Sequence, residues 1–195
     1  MTDLPPEYER LLHHIEGAKL TAKAGSPPDR TLNLIVSGQK QSGKTTNIVA
    51  FAEELIQRKL INGDPVYFDC LEAGFGAQLC VRLNEEFGRA KGSILIIDNA
   101  DKLQDEPLAL QTMLDLYEDT GCMLALVGER EGMDKICDLY PAVANHFPTV
   151  INPEIAAERA AALSTREAMD ELAALPESVN VRKPLQLKVP GEKKP

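Results

Sequence analysis

The sequence predicts an α/β protein built on a doubly wound parallel sheet with helices on both faces. Three observations carry the prediction. Short, nearly continuous apolar runs, "TLNLIVS", "VYFDC", "GSILIID" and "GCMLALVG", alternate with longer stretches of helical periodicity. Strands apolar on both sides need cover on both faces, which crossover helices between parallel strands supply. The first run leads into "GQKQSGKTT", a glycine-rich turn that opens a helix. Finally, 195 residues with 44% hydrophobic and 26% charged side chains suffice for one full core and are few for two.

In order along the chain, residues 6–24 place Tyr8, Leu11, Leu12, Ile15 and Ala18 on one helical face. "AGSPPDR" breaks that helix. "TLNLIVS" reads as the first strand, and a helix is expected from about Lys44 to Lys59. The turn "INGDP" leads to "VYFDC", the second strand; "GAQLCVRLNEEFGRA" is helical and precedes "GSILIID". A helix from about Glu106 to Glu118 comes next, then "GCMLALVG", and "PTVIN" supplies a fifth extended piece. "PEIAAERAAALSTREAMDELAAL" is a helical run that Pro153 starts and Pro176 stops, and the Pro- and Lys-rich end after it reads as extended. The expected organisation is an N-terminal helical segment (1–29), a nucleotide-binding core (30–153), a C-terminal helix (154–175) and a basic tail (176–195).

A formal net charge of −9 gives no global attraction to nucleic acid or to an anionic membrane, so a nucleic-acid partner is not expected. "MTDLPPEYER" lacks the basic-then-apolar order of an export signal, and no apolar run reaches membrane-spanning length, so a cytoplasmic location is expected. Cys70, Cys80, Cys122 and Cys137 form no C-x-x-C pair, and His13, His14 and His146 have no metal-ligand spacing. Buried free thiols are the simpler expectation.

The chemistry is concentrated in "GQKQSGKTT". Gly38, four residues, then Gly43, Lys44 and Thr45 satisfy G-x-x-x-x-G-K-[ST] without mismatch. Because a strand precedes it and a helix follows, the backbone N–H groups of Gly38, Gln39, Lys40, Gln41, Ser42, Gly43, Lys44, Thr45 and Thr46 can surround phosphates at a positive helix end. Lys44 adds a point charge, and the Thr45 hydroxyl suits Mg²⁺. ATP with Mg²⁺ is the expected ligand. "SILIIDNAD" supplies the counterpart, since Ile94 to Ile97 bury a strand that delivers Asp98 to its C-terminal edge, where a carboxylate can hold the metal through water.

Taken together, these motifs resemble the AAA+ ATPases, and most of all the branch that includes the red-type rubisco activases and the stage V sporulation protein K-like proteins. "LNLIVSGQKQSGKTT" is similar to that branch's "LHMVFTGNPGTGKTT", "LIIDNA" to its "LFIDEA", and "YPAVANHFP" to its "NPGLRSRFP". The resemblance spans about residues 30–155. A second branch, the transposition-helper ATPases, is similar in "IIDNADKL" and "LDLYEDTGCMLALVGERE".

The resemblance implies further roles, and the chain departs from several of them. Where the family has a water-polarising glutamate after the metal aspartate, this chain has Asn99, an amide that can orient water but not take its proton. Asp101 is the candidate stand-in base, so Asn99 and Asp101 are the candidate catalytic residues. The family's trans-acting arginines fall on Ala144, Asn145 and His146, none of which offers a guanidinium fork. Phe75, between Gly74 and Gly76, stands where the family has an aromatic loop that grips substrate. About forty residues follow the core where the family has a lid of several helices; on them, Arg159 and Arg166 are the candidates for a phosphate-sensing arginine.

The expected function is therefore ATP binding with slow or absent hydrolysis, as a nucleotide-gated regulator or assembly partner in a homo- or hetero-oligomer. The alternatives are an active ATPase that remodels a protein or nucleic-acid complex and a small P-loop kinase. The kinase needs several lid arginines, and only Arg130 lies between residues 100 and 150.

Overall fold

The computed structural model describes residues 4–21 and 32–154. The expected C-terminal helix beyond residue 154, the basic tail, and Arg159 and Arg166 lie outside the described residues. The elements run α1 (Pro6–Thr21), β1 (Leu34–Gly38), α2 (Lys44–Gln57), β2 (Val66–Asp69), α3 (Gly76–Arg89) and β3 (Ile94–Asp98). A 3-10 turn (Ala100–Asp105), α4 (Pro107–Thr120), β4 (Met123–Glu129), α5 (Arg130–Leu139), α6 (Pro141–His146) and β5 (Thr149–Ile151) complete them.

All strand pairs are parallel, and the five strands lie in the order β2-β3-β4-β1-β5. Handedness decides which helix covers which face. A right-handed crossover that steps toward β2 puts its helix on one face, and crossovers stepping the other way put theirs on the opposite face. Only the β1-to-β2 connection steps toward β2, and its helix α2 packs with Leu34, Val36, Ile94 and Ile96. The helices of the return steps, α3, α4 and α5, bury Leu83, Met113 and Ile136 against Ile35, Leu95 and Ile97. Successive strand residues thus face opposite helical layers, the period-2 rule of a strand covered on both sides. The apolar runs are continuous in sequence for this reason.

Helix spacing matches the layers. Ile48, Phe51, Ala52 and Leu55 form the buried stripe of α2, and Leu79, Leu83 and Phe87 that of α3. The N-terminal helix joins the α2 layer, with Tyr8 fully buried and its ring centroid 5.4 Å from that of Phe51. Arg58 ties this helix down from the α2 end, pairing with Glu9 at 3.0 Å, Glu16 at 3.3 Å and Glu54 at 3.1 Å. On the far side, buried Asn33 accepts from Leu124 N at 2.8 Å and donates to His146 O at 3.1 Å, fixing β4 and the end of α6 relative to the start of β1.

Helix ends differ from the sequence expectation by a residue or two, as fraying ends do. The 3-10 turn, α5 and α6 carry no strong sequence signal; α5 follows β4 with no loop between them. Strand order reverses direction at β1, since β2 lies to one side of it and β5 to the other. In open α/β sheets the crevice at such a reversal, outside the carboxyl ends of the strands, is where ligands sit.

Candidate functional site

The loop after β1 enters that crevice. Gly43 caps α2 at φ +80° with no side-chain cap, which leaves the first N–H groups of the helix unclaimed by side chains. Gln41 also takes the left-handed region, at φ +64°. For a residue with a Cβ this costs about 1 kcal/mol or more, a strain that persists where the surrounding loop imposes it. Lys44 arches back over the loop and donates to Gly38 O at 3.0 Å and Gln39 O at 2.5 Å. Ser42 Oγ is buried without a hydrogen-bond partner. A Cβ at Gly38 would stand 2.9 Å from Ser42 Oγ and 3.2 Å from Glu154 Oε1, so a larger residue here would make those two side chains shift.

Across the crevice the Thr45 hydroxyl donates to Asp98 Oδ2 at 3.0 Å. A hydroxyl and a carboxylate held this close are oxygen donors of the kind Mg²⁺ prefers, and the uncapped start of α2 with the orphaned Ser42 hydroxyl fits a polyphosphate. Thr45 and Asp98 would hold the cation, whose charge would offset that of the phosphates. Thr45 and Thr46 are exposed at the helix start, and Asp98 is partly buried.

Asn99 follows in the left-handed region at φ +52°, where asparagine is tolerated better than most residues. Its side-chain amide donates to Asp69 Oδ1 at 2.8 Å, toward β2, and its backbone N–H donates to Asp98 Oδ1 at 2.8 Å. Asp69 also accepts from Leu71 N at 2.8 Å, so this carboxylate organises the end of β2. Asp101 is only 4% exposed. Its Oδ1 accepts from Glu129 N at 3.1 Å and its Oδ2 pairs with Lys102 at 2.9 Å. A carboxylate this buried requires such partners, and here they lock the 3-10 turn to the end of β4 and the start of α5.

Several groups at the cradle were not singled out by sequence reasoning. Glu129 pairs with Lys40 at 3.4 Å, and the Gln39 N–H donates to Glu154 Oε1. A cavity of about 400 Å³ beside the loop is lined by Gly38, Gln39, Glu129, Arg130, Glu131 and Asp134. The signal for Glu129 was present: "MLALVGE" closes an apolar strand with an acid, as "ILIID" does.

The position of the expected trans-acting arginine turns inward. His146 contacts Ala142 O at 2.8 Å through Nδ1 and Glu118 Oε1 at 3.0 Å through Nε2, and it meets the Tyr117 ring edge-on at 5.9 Å. Phe75, by contrast, is 83% exposed on the loop between β2 and α3. Among the described residues no cluster of His, Cys, Asp and Glu forms a metal site of its own, and no helix is long and apolar enough to cross a membrane.

The cysteines are free thiols. Burial pushes Cys70 up to about 12 from 9.0, with Asp69, Asp101 and Asp98 adding to the effect, and burial pushes Cys122 up to about 12 as well. Both thiols stay neutral in the fold, so a thiol reagent at pH 8 is expected to label half-buried Cys80 in the native protein and Cys70 and Cys122 only after unfolding. In the unfolded chain these thiols ionise near their ordinary value. Their contribution to stability is therefore full below about pH 9 and declines as pH rises toward 12, which urea midpoints at pH 8 and pH 10 would register.

No protein-family model matches the chain, and no curated protein matches it. Solved structures do. The Aeropyrum pernix ORC2 protein in its ADPNP-ADP complexes matches with a TM-score of 0.54 at 13% identity, over 77% of this chain and 49% of that one. Its ADP form matches at 0.52 and 14% identity, over 77% and 50%. The Aeropyrum pernix ORC1 protein in complex with DNA matches at 0.50 and 16% identity, over 76% and 45%. The chain spans about half the length of the solved structures it matches. The likeness gives no support to the rubisco activase and stage V sporulation protein K-like branch, to which the motif spelling pointed. At these identities it is a likeness of fold alone: the chain has a parallel, doubly wound α/β core.

Proposed function

We propose that the chain is an ATP-binding AAA+-like protein with slow or absent hydrolysis, acting as a nucleotide-gated regulator or assembly partner of other proteins. The observation that carries the reading is the meeting of Thr45 and Asp98, 53 residues apart in sequence, at 3.0 Å beside Lys44. Packing alone gives no reason for a threonine, a lysine and an aspartate to converge at a strained glycine loop. Slow turnover is supported by the Asn99 amide, which cannot take a proton and is held by Asp69, and by His146, which is engaged within its own subunit. A net charge of −9 favours a protein partner over nucleic acid.

A second reading, an active ATPase that remodels a protein or nucleic-acid assembly, is favoured by the exposed Phe75 loop and by the fold likeness to a protein solved with DNA. Calorimetric titration with ATP and Mg²⁺, followed by phosphate release, separates the two. Micromolar binding with turnover on the order of 10⁻³ s⁻¹, the range of P-loop enzymes lacking a finger, is expected. Absence of any binding heat would sink the first reading, and turnover near one per second would favour the second.

A further inference from the structure

Strand β4 lies between the strand that feeds the cradle and the strand that ends in Asp98. Its register sets Glu129 opposite Gly38 and Leu126 opposite Ile97. Asp98 is therefore level with Val127, and Glu129 lies two residues further toward the carboxyl edge of the sheet, on the side of the loop. A nucleotide held by the loop and Lys44, with a cation at Thr45 and Asp98, would turn its terminal phosphate toward this edge of the sheet.

The acids around this point are unequal. Asp101 is 4% exposed and both its oxygens are engaged, and Asp69 holds Leu71 N and the Asn99 amide. Glu131 pairs with Lys135 at 2.9 Å along its own helix. Glu129 is different: its side chain is 46% exposed, borders the cavity beside Gly38 and Gln39, and meets a loop cation, Lys40, whose side chain is 84% exposed. Its backbone is anchored from below by Asp101.

We propose, resting on the reading that the cradle binds ATP, that Glu129 is the water-activating carboxylate of this protein and that Lys40 supplies positive charge beside the transferred phosphoryl group. The charges missing from positions 99 and 144–146 are thereby replaced only in part, by a carboxylate that a lysine already meets at 3.4 Å and by an ammonium in place of a guanidinium fork, which keeps turnover slow. In the step, the water oxygen bonds to the γ-phosphorus as the bond from that phosphorus to the β,γ-bridging oxygen breaks. The bridging oxygen keeps the electron pair and leaves with ADP. Glu129 takes the water proton and returns it to the released phosphate, so only ATP and water are consumed. Asp101 is a positioning residue, acting through the Glu129 backbone.

The test uses the full chain and two readouts, MgATP affinity by calorimetry and conversion of bound ATP to ADP in a single turnover. Glu129→Gln is expected to keep the affinity within about twofold and to slow conversion about 100-fold, the usual effect of losing a general base. Lys40→Gln, an exposed change independent of the strand, is expected to slow it about 10-fold, well short of the loss of an arginine finger. Unchanged conversion in Glu129→Gln overturns the proposal, and so does a wild-type protein that binds ATP and never converts it. A wild-type protein that binds no ATP overturns the reading beneath it, and calorimetry identifies that case separately.

Discussion

Lys44→Ala is expected to weaken MgATP binding by about 100-fold or more while leaving the unfolding midpoint nearly unchanged. Two charge-assisted hydrogen bonds to phosphate at about 1.5 kcal/mol each amount to about 3 kcal/mol, a little over two decades in affinity. In the fold without ligand the ammonium is satisfied by Gly38 O and Gln39 O, both carbonyls of the loop itself. Gln39 is exposed and the Gly38 contact is only part-buried, so water can replace the ammonium when the side chain is removed and stability has little to lose. The measurement is a pair of calorimetric titrations with matched denaturation curves. Equal affinities in the two proteins would show that the loop is not where nucleotide binds.

Gly132→Ala is expected to destabilise the protein by about 2 kcal/mol, lowering the melting temperature by roughly 6 °C for a chain of this size. Two effects oppose each other at this position. Alanine gains about 1 kcal/mol of helix propensity over glycine within α5. Its Cβ would also stand 2.5 Å from Asp101 Cβ and 3.3 Å from Asp101 Cα, atoms that cannot swing aside. Overpacking of that kind costs up to about 3 kcal/mol, so the clash wins. Gly88, on α3, has nothing within 4 Å of the point a Cβ would occupy, and Gly88→Ala should raise stability by about 0.5–1 kcal/mol. The opposite signs make the comparison by thermal melting decisive; a stabilised Gly132→Ala would mean that Asp101 does not pack against α5.

Much of the cradle was legible because its chemistry is local. A strand, Gly38, Gly43, Lys44 and Thr45 lie within a dozen residues, and backbone sterics force such a sequence into one loop shape. Asp98 was legible for a related reason: four apolar residues before it leave one place for a carboxylate, the strand end. The fifth strand, three residues at Thr149–Ile151, was also visible, as an extended piece after Pro148.

Other features depended on contacts that no local pattern encodes. Asp101 looked available as a base because it lies three residues past Asp98, yet the 3-10 turn rolls it under α5. Asn99 was read as a weaker glutamate. Its contact with Asp69 exists only because β2 pairs with β3 in a register that sets Asp69 opposite Asp98. His146 looked like a failed arginine; its bonds to Ala142 and Glu118 show a side chain committed to its own helix layers.

By itself, then, the sequence determined the layered α/β architecture, the glycine loop between β1 and α2, and the aspartate at the end of β3. Each follows from periodicity or from steric rules that act over a few residues. Strand order, and with it the placing of β4 between the strand that feeds the loop and the strand that ends in Asp98, came only from the tertiary structure. So did the pairing of Lys40 with Glu129, residues far apart in the chain. The physical reason is that a parallel strand says which faces are apolar but not which neighbour it has. Neighbours are set by where the crossover helices pack, and that decides which acid meets the loop.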